Sequence, residues 1–216
     1  MTQQFTTDIK MPSRDHFEQD EQKYSWLGML LDGYALIDKG VHQAIAAQSS
    51  QDKSLACSNG CAACCRAHHE IPVFPLEMVG VSWYAAEKLS GEVRDKLRDN
   101  LKQFEKGKAC PFLVDDSCSV HPVRPAACRQ FNVLGTACSE GEDAWKTRPD
   151  DVVTPIKKYI DLAYYHMLPF YGIETEEDKL KVIKDSAMNA IAQEMQSCQW
   201  GSLVDKMDQL DKERGK

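Results

Sequence analysis

Thiols carry the chemistry that is legible in this chain. Of its nine cysteines, seven fall between Cys57 and Cys128, in two blocks. The first block reads Cys57-Ser-Asn-Gly-Cys61-Ala-Ala-Cys64-Cys65-Arg66. The second runs through Cys110-Pro-Phe-Leu113, Cys118, His121, Arg124-Pro125 and Cys128-Arg129, with Cys138 beyond it. Gaps of two or three residues let one loop turn several thiolates toward a single ion at small entropic cost. Asn59 and Gly60 tolerate the positive φ that so tight a turn demands, and Ala62 and Ala63 leave room for the chain to close.

Adjacent cysteines limit how the donors divide. Neighbouring side chains diverge by about 100° on a helix and point to opposite faces in a strand. Cys64 and Cys65 therefore serve different sites: one joins Cys57 and Cys61, while the other faces the second block. With Cys138 the cluster reaches eight thiols, enough for two four-thiolate sites; Cys198, alone in a helical pattern, reads as an ordinary buried residue. Four thiolates leave a dication, or an oxidised four-iron cluster, with a net negative charge. Arg66, Arg124 and Arg129 abut the candidate ligands and are placed to offset that charge and donate to sulfur. His121, between two cysteines, is the best nitrogen donor, with ligation and hydrogen bonding both open to it. His68-His69-Glu70 reads as loop polarity, and Asp115-Asp116 as turn chemistry.

The two blocks resemble the YkgJ-type cysteine-cluster family, a zinc- or iron-chelating family with the pattern C-x3-C-x2-C-C, C-P-F-L, a further cysteine and R-P-x2-C-R. Cys57, Cys61, Cys64, Cys65, Cys110-Pro-Phe-Leu113, Cys118, Arg124-Pro125 and Cys128-Arg129 match every element, over residues 57–131. The resemblance implies zinc or iron ions, or an iron–sulfur cluster such as [4Fe–4S], but no one reaction. A redox or metal-handling protein is the first reading, and a structural zinc module that binds a protein partner is the second. A related motif in flagellin lysine N-methylases makes iron–sulfur-dependent methyl transfer a third, resting on analogy. The C-x3-C-x2-C spacing is also that of radical SAM enzymes, yet the strand–helix repeats of their barrel are missing here and Ala63 is not aromatic.

The elements that must position these thiols read as mainly α: a single helical domain wrapping two cysteine-rich loops, with a short β-hairpin near 110–121. Residues 1–23 are polar and read as a flexible arm, 24–200 as the helical domain with its metal-binding core at 57–138, and 201–216 as a charged, frayed tail. Helical spacing runs from Tyr24 to about Ala47, from Leu76 to Leu89, and from Gly91 to Lys106 with Ser90 as cap and Gly107 as closing residue. Two more helices follow, one from Thr154-Pro155 to Tyr171-Gly172 and one from Thr175 through Met195.

The chain has 26 Lys and Arg against 33 Asp and Glu, a net charge of −7. That acidity argues against broad nucleic-acid binding, which needs a basic face. No stretch approaches the roughly 20 apolar residues of a membrane span. The first residues lack a cationic start and an apolar run, which points to the cytoplasm, where thiols stay reduced. The expected partners are metal ions and a protein redox or acceptor partner.

Overall fold

The structure is a computed structural model that describes residue 7 and residues 9–215. Among the described residues the α-helices are, in chain order, α1 (Glu18–Lys23), α2 (Ser25–Gln48), α3 (Ala63–Ala67), α4 (Pro75–Trp83), α5 (Gly91–Lys102), α6 (Ala126–Gln130), α7 (Ala144–Thr147), α8 (Lys157–Met167), α9 (Glu176–Lys184) and α10 (Gly201–Glu213). The strands β1 (Pro72–Val73), β2 (Leu113–Val114), β3 (Ser117–Cys118) and β4 (Gln193–Glu194) pair antiparallel as β1–β4 and β2–β3. The fold is thus mainly α with a short hairpin, as the periodicity predicts. By its internal contacts the chain forms two compact units. One comprises the residues up to Ser49 with Val153–Ile191, and the other comprises Ser50–Val152 with the chain from Ala192 on. Periodicity identifies helices but does not say which of them pack together.

The first unit is built on α2, whose Leu27, Leu30, Leu36 and Ile37 are fully buried along with Leu162, Met167 and Leu168 of the α8 segment. α8 runs close to α2 where small residues permit it: a Cβ on Gly40 would stand 2.6 Å from Tyr159 Cβ. The helix expected to start at Thr154-Pro155 starts instead at Lys157. The Thr154 backbone is committed elsewhere: its N–H donates to Gln48 Oε1 and its carbonyl accepts from Gln48 Nε2, each at 2.9 Å. Gly172, at φ 74°, ends the 3₁₀ turn that follows α8, and Thr175 Oγ1 caps α9 by accepting from the Asp178 N–H at 3.2 Å. α9 stops at Lys184 rather than running to Met195, because the chain turns at Ser186, which takes φ 51°. Of the expected arm, residues 1–6 and 8 lie outside the described residues. Its later part is docked: Arg14 donates to Glu21 at 2.8 Å and to Asp32 at 2.6 Å, and holds the Glu21 carboxyl down at about 2.

In the second unit α4 starts at Pro75, where a missing N–H costs nothing, and continues into a π turn at Tyr84–Lys88 before α5. Of the segment 201–216, expected to fray, Gly201–Glu213 form α10 because Leu203, Val204 and Met207 fall on one buried face, while residue 216 lies outside the described residues. Arg94, 3% exposed, fastens α10 by donating to the Met207 carbonyl at 3.3 Å and pairing with Asp211 at 3.0 Å. α5 ends at Lys102 with Gln103 as its cap, so Gly107 does not close it. Gly107 sits in the next turn at φ 85° and donates its N–H to Gln196 Oε1 at 2.7 Å. Among the described residues no helix is long and apolar enough to cross a membrane.

Candidate metal centre

The first cysteine block turns at Asn59-Gly60, with Gly60 at φ 81° and the Cys61 N–H donating to the Ser58 carbonyl at 3.0 Å. The chain then enters α3, which carries the adjacent Cys64 and Cys65. A backbone bond from the Cys110 N–H to the Cys65 carbonyl, 2.7 Å long, stitches the second block to the first. The predicted acidic turn is present: Asp115 and Asp116 take φ 48° and 57°, the left-handed pair that a two-residue hairpin loop requires. Cations hold both aspartates, Lys96 on Asp115 at 2.8 Å and Arg66 on Asp116. The Arg66 guanidinium therefore braces the hairpin turn.

The loop before Cys128 is shaped by two buried charges. Arg129 donates to the carbonyls of Arg124 and Pro122, at 2.9 and 2.5 Å, and so closes the Arg-Pro turn on itself. Glu77 on α4, fully buried, accepts the Phe74 N–H at 3.0 Å and the Ala126 N–H at 2.6 Å. One carboxylate thus caps α4 and anchors the start of α6, the helix that carries Cys128. Sequence reasoning missed Glu77, although a Glu three residues after a helix cap is a recognisable N-terminal signal.

All eight candidate cysteines line one cavity of about 770 Å³, whose other walls include Phe112, Phe131, Val133, His68, Arg124 and Trp145. None of the nine cysteines is in a disulfide. Cys198 is outside this group; its thiol points at Met78 Sδ, 3.4 Å away, and it caps a 3₁₀ turn rather than lying in a helix. Within the cavity Cys64 is the shared neighbour, interacting with Cys57 on one side and with Cys118 and Cys128 on the other. Cys57 interacts with Cys61 and Cys64, and Cys138 with Cys57 and Cys61. Cys65 bonds to Cys110 and interacts with Cys118, while Cys128 interacts with Cys118, Cys64 and Cys65. Cys64 is also hydrogen-bonded to Cys65.

Six of these thiols, Cys57, Cys64, Cys65, Cys118, Cys128 and Cys138, are held toward the protonated form. The bond to Cys65 and burial push the Cys64 thiol up, and the bond to Cys110 raises Cys65 to about 12. Burial raises Cys57 and Cys118, and Cys128 well above the ordinary value. Arg124 opposes this at Cys57, Cys64 and Cys118; its Nε is buried and makes no hydrogen bond among the described residues. Two further groups favour sulfur charge. The Val133 N–H donates to Cys57 Sγ at 3.3 Å, and Arg148 Nη2 lies 3.5 Å from Cys138 Sγ. Glu142 at 2.7 Å and Asp151 at 3.1 Å hold Arg148 in place. Arg148 was not among the arginines expected from sequence, since ten residues separate it from its sulfur.

His121 is exposed at the cavity edge. His68, expected as loop polarity, is half-buried instead: its ring stands edge-on to Phe131 at 4.4 Å and its Nε2 is 3.2 Å from Asp143 Oδ1. Burial keeps that ring below its ordinary pKa.

Among the described residues no group of three or more His, Cys, Asp or Glu side chains stands close enough together to hold a metal ion. The donor chemistry nonetheless fits zinc or iron. Eight unpaired thiols share one cavity with a guanidinium against the sulfurs, and such soft donors select zinc, iron and iron–sulfur centres. Binding would replace S–H protons by metal, which releases them to solvent.

Residues 56–151 match the family model CxxCxxCC, described as "Putative zinc- or iron-chelating domain". No curated protein and no solved structure matches the chain. The matched segment contains all eight cavity cysteines and excludes Cys198.

Proposed function

We propose, with the zinc- or iron-chelating domain of residues 56–151 as premise, that the chain handles metal through two four-thiolate sets. Cys57, Cys61, Cys64 and Cys138 form one set; Cys65, Cys110, Cys118 and Cys128 form the other. What supports this reading is that eight free thiols line one cavity, with Cys57 beside Cys61 and Cys64, and Cys65 beside Cys110 and Cys118. Each set supplies the four sulfurs of a tetrahedral zinc or iron ion, or of an iron–sulfur cluster. When bound, such a centre provides Lewis acidity or, as a cluster, one-electron chemistry. Arg124, Arg148 and the Val133 N–H would balance the added thiolate charge, as hydrogen bonds to ligand sulfur do elsewhere.

Anaerobic purification followed by metal and acid-labile sulfide analysis tests the reading and decides between ions and cluster. Bound zinc or iron at up to two centres per chain is the expected result, lowered by Cys128→Ser and unchanged by Cys198→Ser. Sulfide with a visible absorption band would identify the cluster form, and stoichiometric zinc without sulfide the ion form. A chain that takes up no metal from either source, reduced and at neutral pH, would overturn the proposal.

A further inference from the structure

Resting on that reading, we infer that the two thiol sets differ in duty: the Cys65, Cys110, Cys118, Cys128 set retains its metal, and the Cys57, Cys61, Cys64, Cys138 set exchanges its metal with an incoming thiol ligand. The asymmetry lies in what holds each thiol. Cys65, Cys118 and Cys128 sit on α3, β3 and α6, and Cys110 is bonded through its backbone to Cys65 at 2.7 Å. Around them the Ser119 N–H donates to the Phe112 carbonyl at 2.9 Å, Glu77 anchors Ala126 at 2.6 Å, and Arg129 closes the turn before Cys128. α3, the hairpin and α6 are five residues or fewer in each element, too short to persist alone, so a bound ion at their junction also contributes to folding.

The other set is held at Cys64, on α3, and at Cys57, through the Val133 N–H, but open at its two remaining members. Cys61 is the exposed member of the eight, at the tip of the Asn59-Gly60 turn. Cys138 lies on an irregular stretch between Gly135 and Gly141, both at positive φ, and its sulfur is held by a side chain rather than by backbone. Trp145, 62% exposed, lines the same cavity. Backbone-held donors open only with their surroundings, whereas loop donors open locally and at lower cost.

The exchange is a ligand substitution without electron transfer. The incoming thiol gives up one proton and places its thiolate on the metal; the Cys61–metal bond breaks and Cys61 takes up one proton. Charge, oxidation state and the number of sulfur ligands are unchanged. Repetition at Cys138, Cys57 and Cys64 completes the transfer to a multidentate thiol acceptor.

The full chain, loaded anaerobically with zinc, tests this by stopped-flow release to excess dithiothreitol with a metallochromic chelator as reporter. Two phases of equal amplitude are expected, differing by about tenfold or more in rate, since a local opening easier by about 1.4 kcal/mol is tenfold in population. Cys61→Ser should remove the fast phase and spare the slow one. Because substitution in the other set risks the fold, N-ethylmaleimide mapping of the zinc-loaded wild type supplies the second readout: Cys61 and Cys138 modified first, Cys118 and Cys128 last. A single release rate for two ions, or alkylation at equal rates in both sets, would overturn the inference and leave the proposed function standing. Zinc that never binds would overturn both.

Discussion

Glu77 offers the sharpest test of how the fold holds the cysteine cluster. Its carboxylate is fully buried and accepts two backbone N–H groups, Phe74 at 3.0 Å and Ala126 at 2.6 Å. Glu77→Ala leaves both amides without their acceptor, away from water. A hydrogen bond to a charged group contributes about 1.5–3 kcal/mol, so losing two costs about 3–6 kcal/mol of unfolding free energy. Glu77→Gln keeps one acceptor oxygen but sets an NH₂ group against the other amide, at a cost of about 2–3 kcal/mol. Urea denaturation of the reduced chain at neutral pH measures both. The second consequence is local: freed from Glu77, the start of α6 loosens and the Cys128 thiol should alkylate faster than in wild type, with Cys57 unaffected. A Glu77→Ala variant within about 1 kcal/mol of wild type would refute the reasoning, because two buried charge-assisted bonds cannot be removed so cheaply. So would equal acceleration at Cys57 and Cys128, which would mean general loosening rather than a lost anchor.

Further outcomes are expected. The Glu21 carboxyl, held at about 2 by Arg14 against an ordinary 4.5, contributes stability that is complete above about pH 4.5 and lost as pH falls toward 2. Glu21→Gln should therefore be less stable at pH 6 but flatter in its dependence below pH 4.5, and parallel wild-type and variant urea midpoints over that range would contradict the clamp. Gly40→Ala should destabilise by about 2–3 kcal/mol, because the added Cβ meets Tyr159 Cβ, close to backbone, at 2.6 Å. Gly33→Ala, which meets chiefly the flexible end of Met167, should cost less, about 1 kcal/mol; the reverse order in thermal melts would show that α8 shifts as a unit. Arg148→Lys keeps a cation but loses the fork that engages Glu142, Asp151 and Cys138 together, so Cys138 in the metal-free chain should alkylate at a changed rate while Cys65 does not.

Much of this molecule follows from short-range pattern. The stripe of α2, the Thr175 cap, the Gly172 stop and the acidic hairpin turn depend on residues a few positions apart, whose sterics and hydrogen bonds act alike in any context. The donor inventory is equally local, because thiol chemistry and two-residue spacing belong to the residues themselves. Where local pattern misled, a distant partner had intervened: Gln48 takes the Thr154 backbone from its expected cap, and the buried face of α10 orders a segment that charge alone would fray. The gathering of eight thiols round one cavity, the anchoring of Cys128 by a glutamate 49 residues before Ala126, and the guanidinium on Cys138 belong to the folded chain. Such contacts are set by which surfaces bury together, a free energy summed over the whole chain, and no window of sequence contains both halves of it.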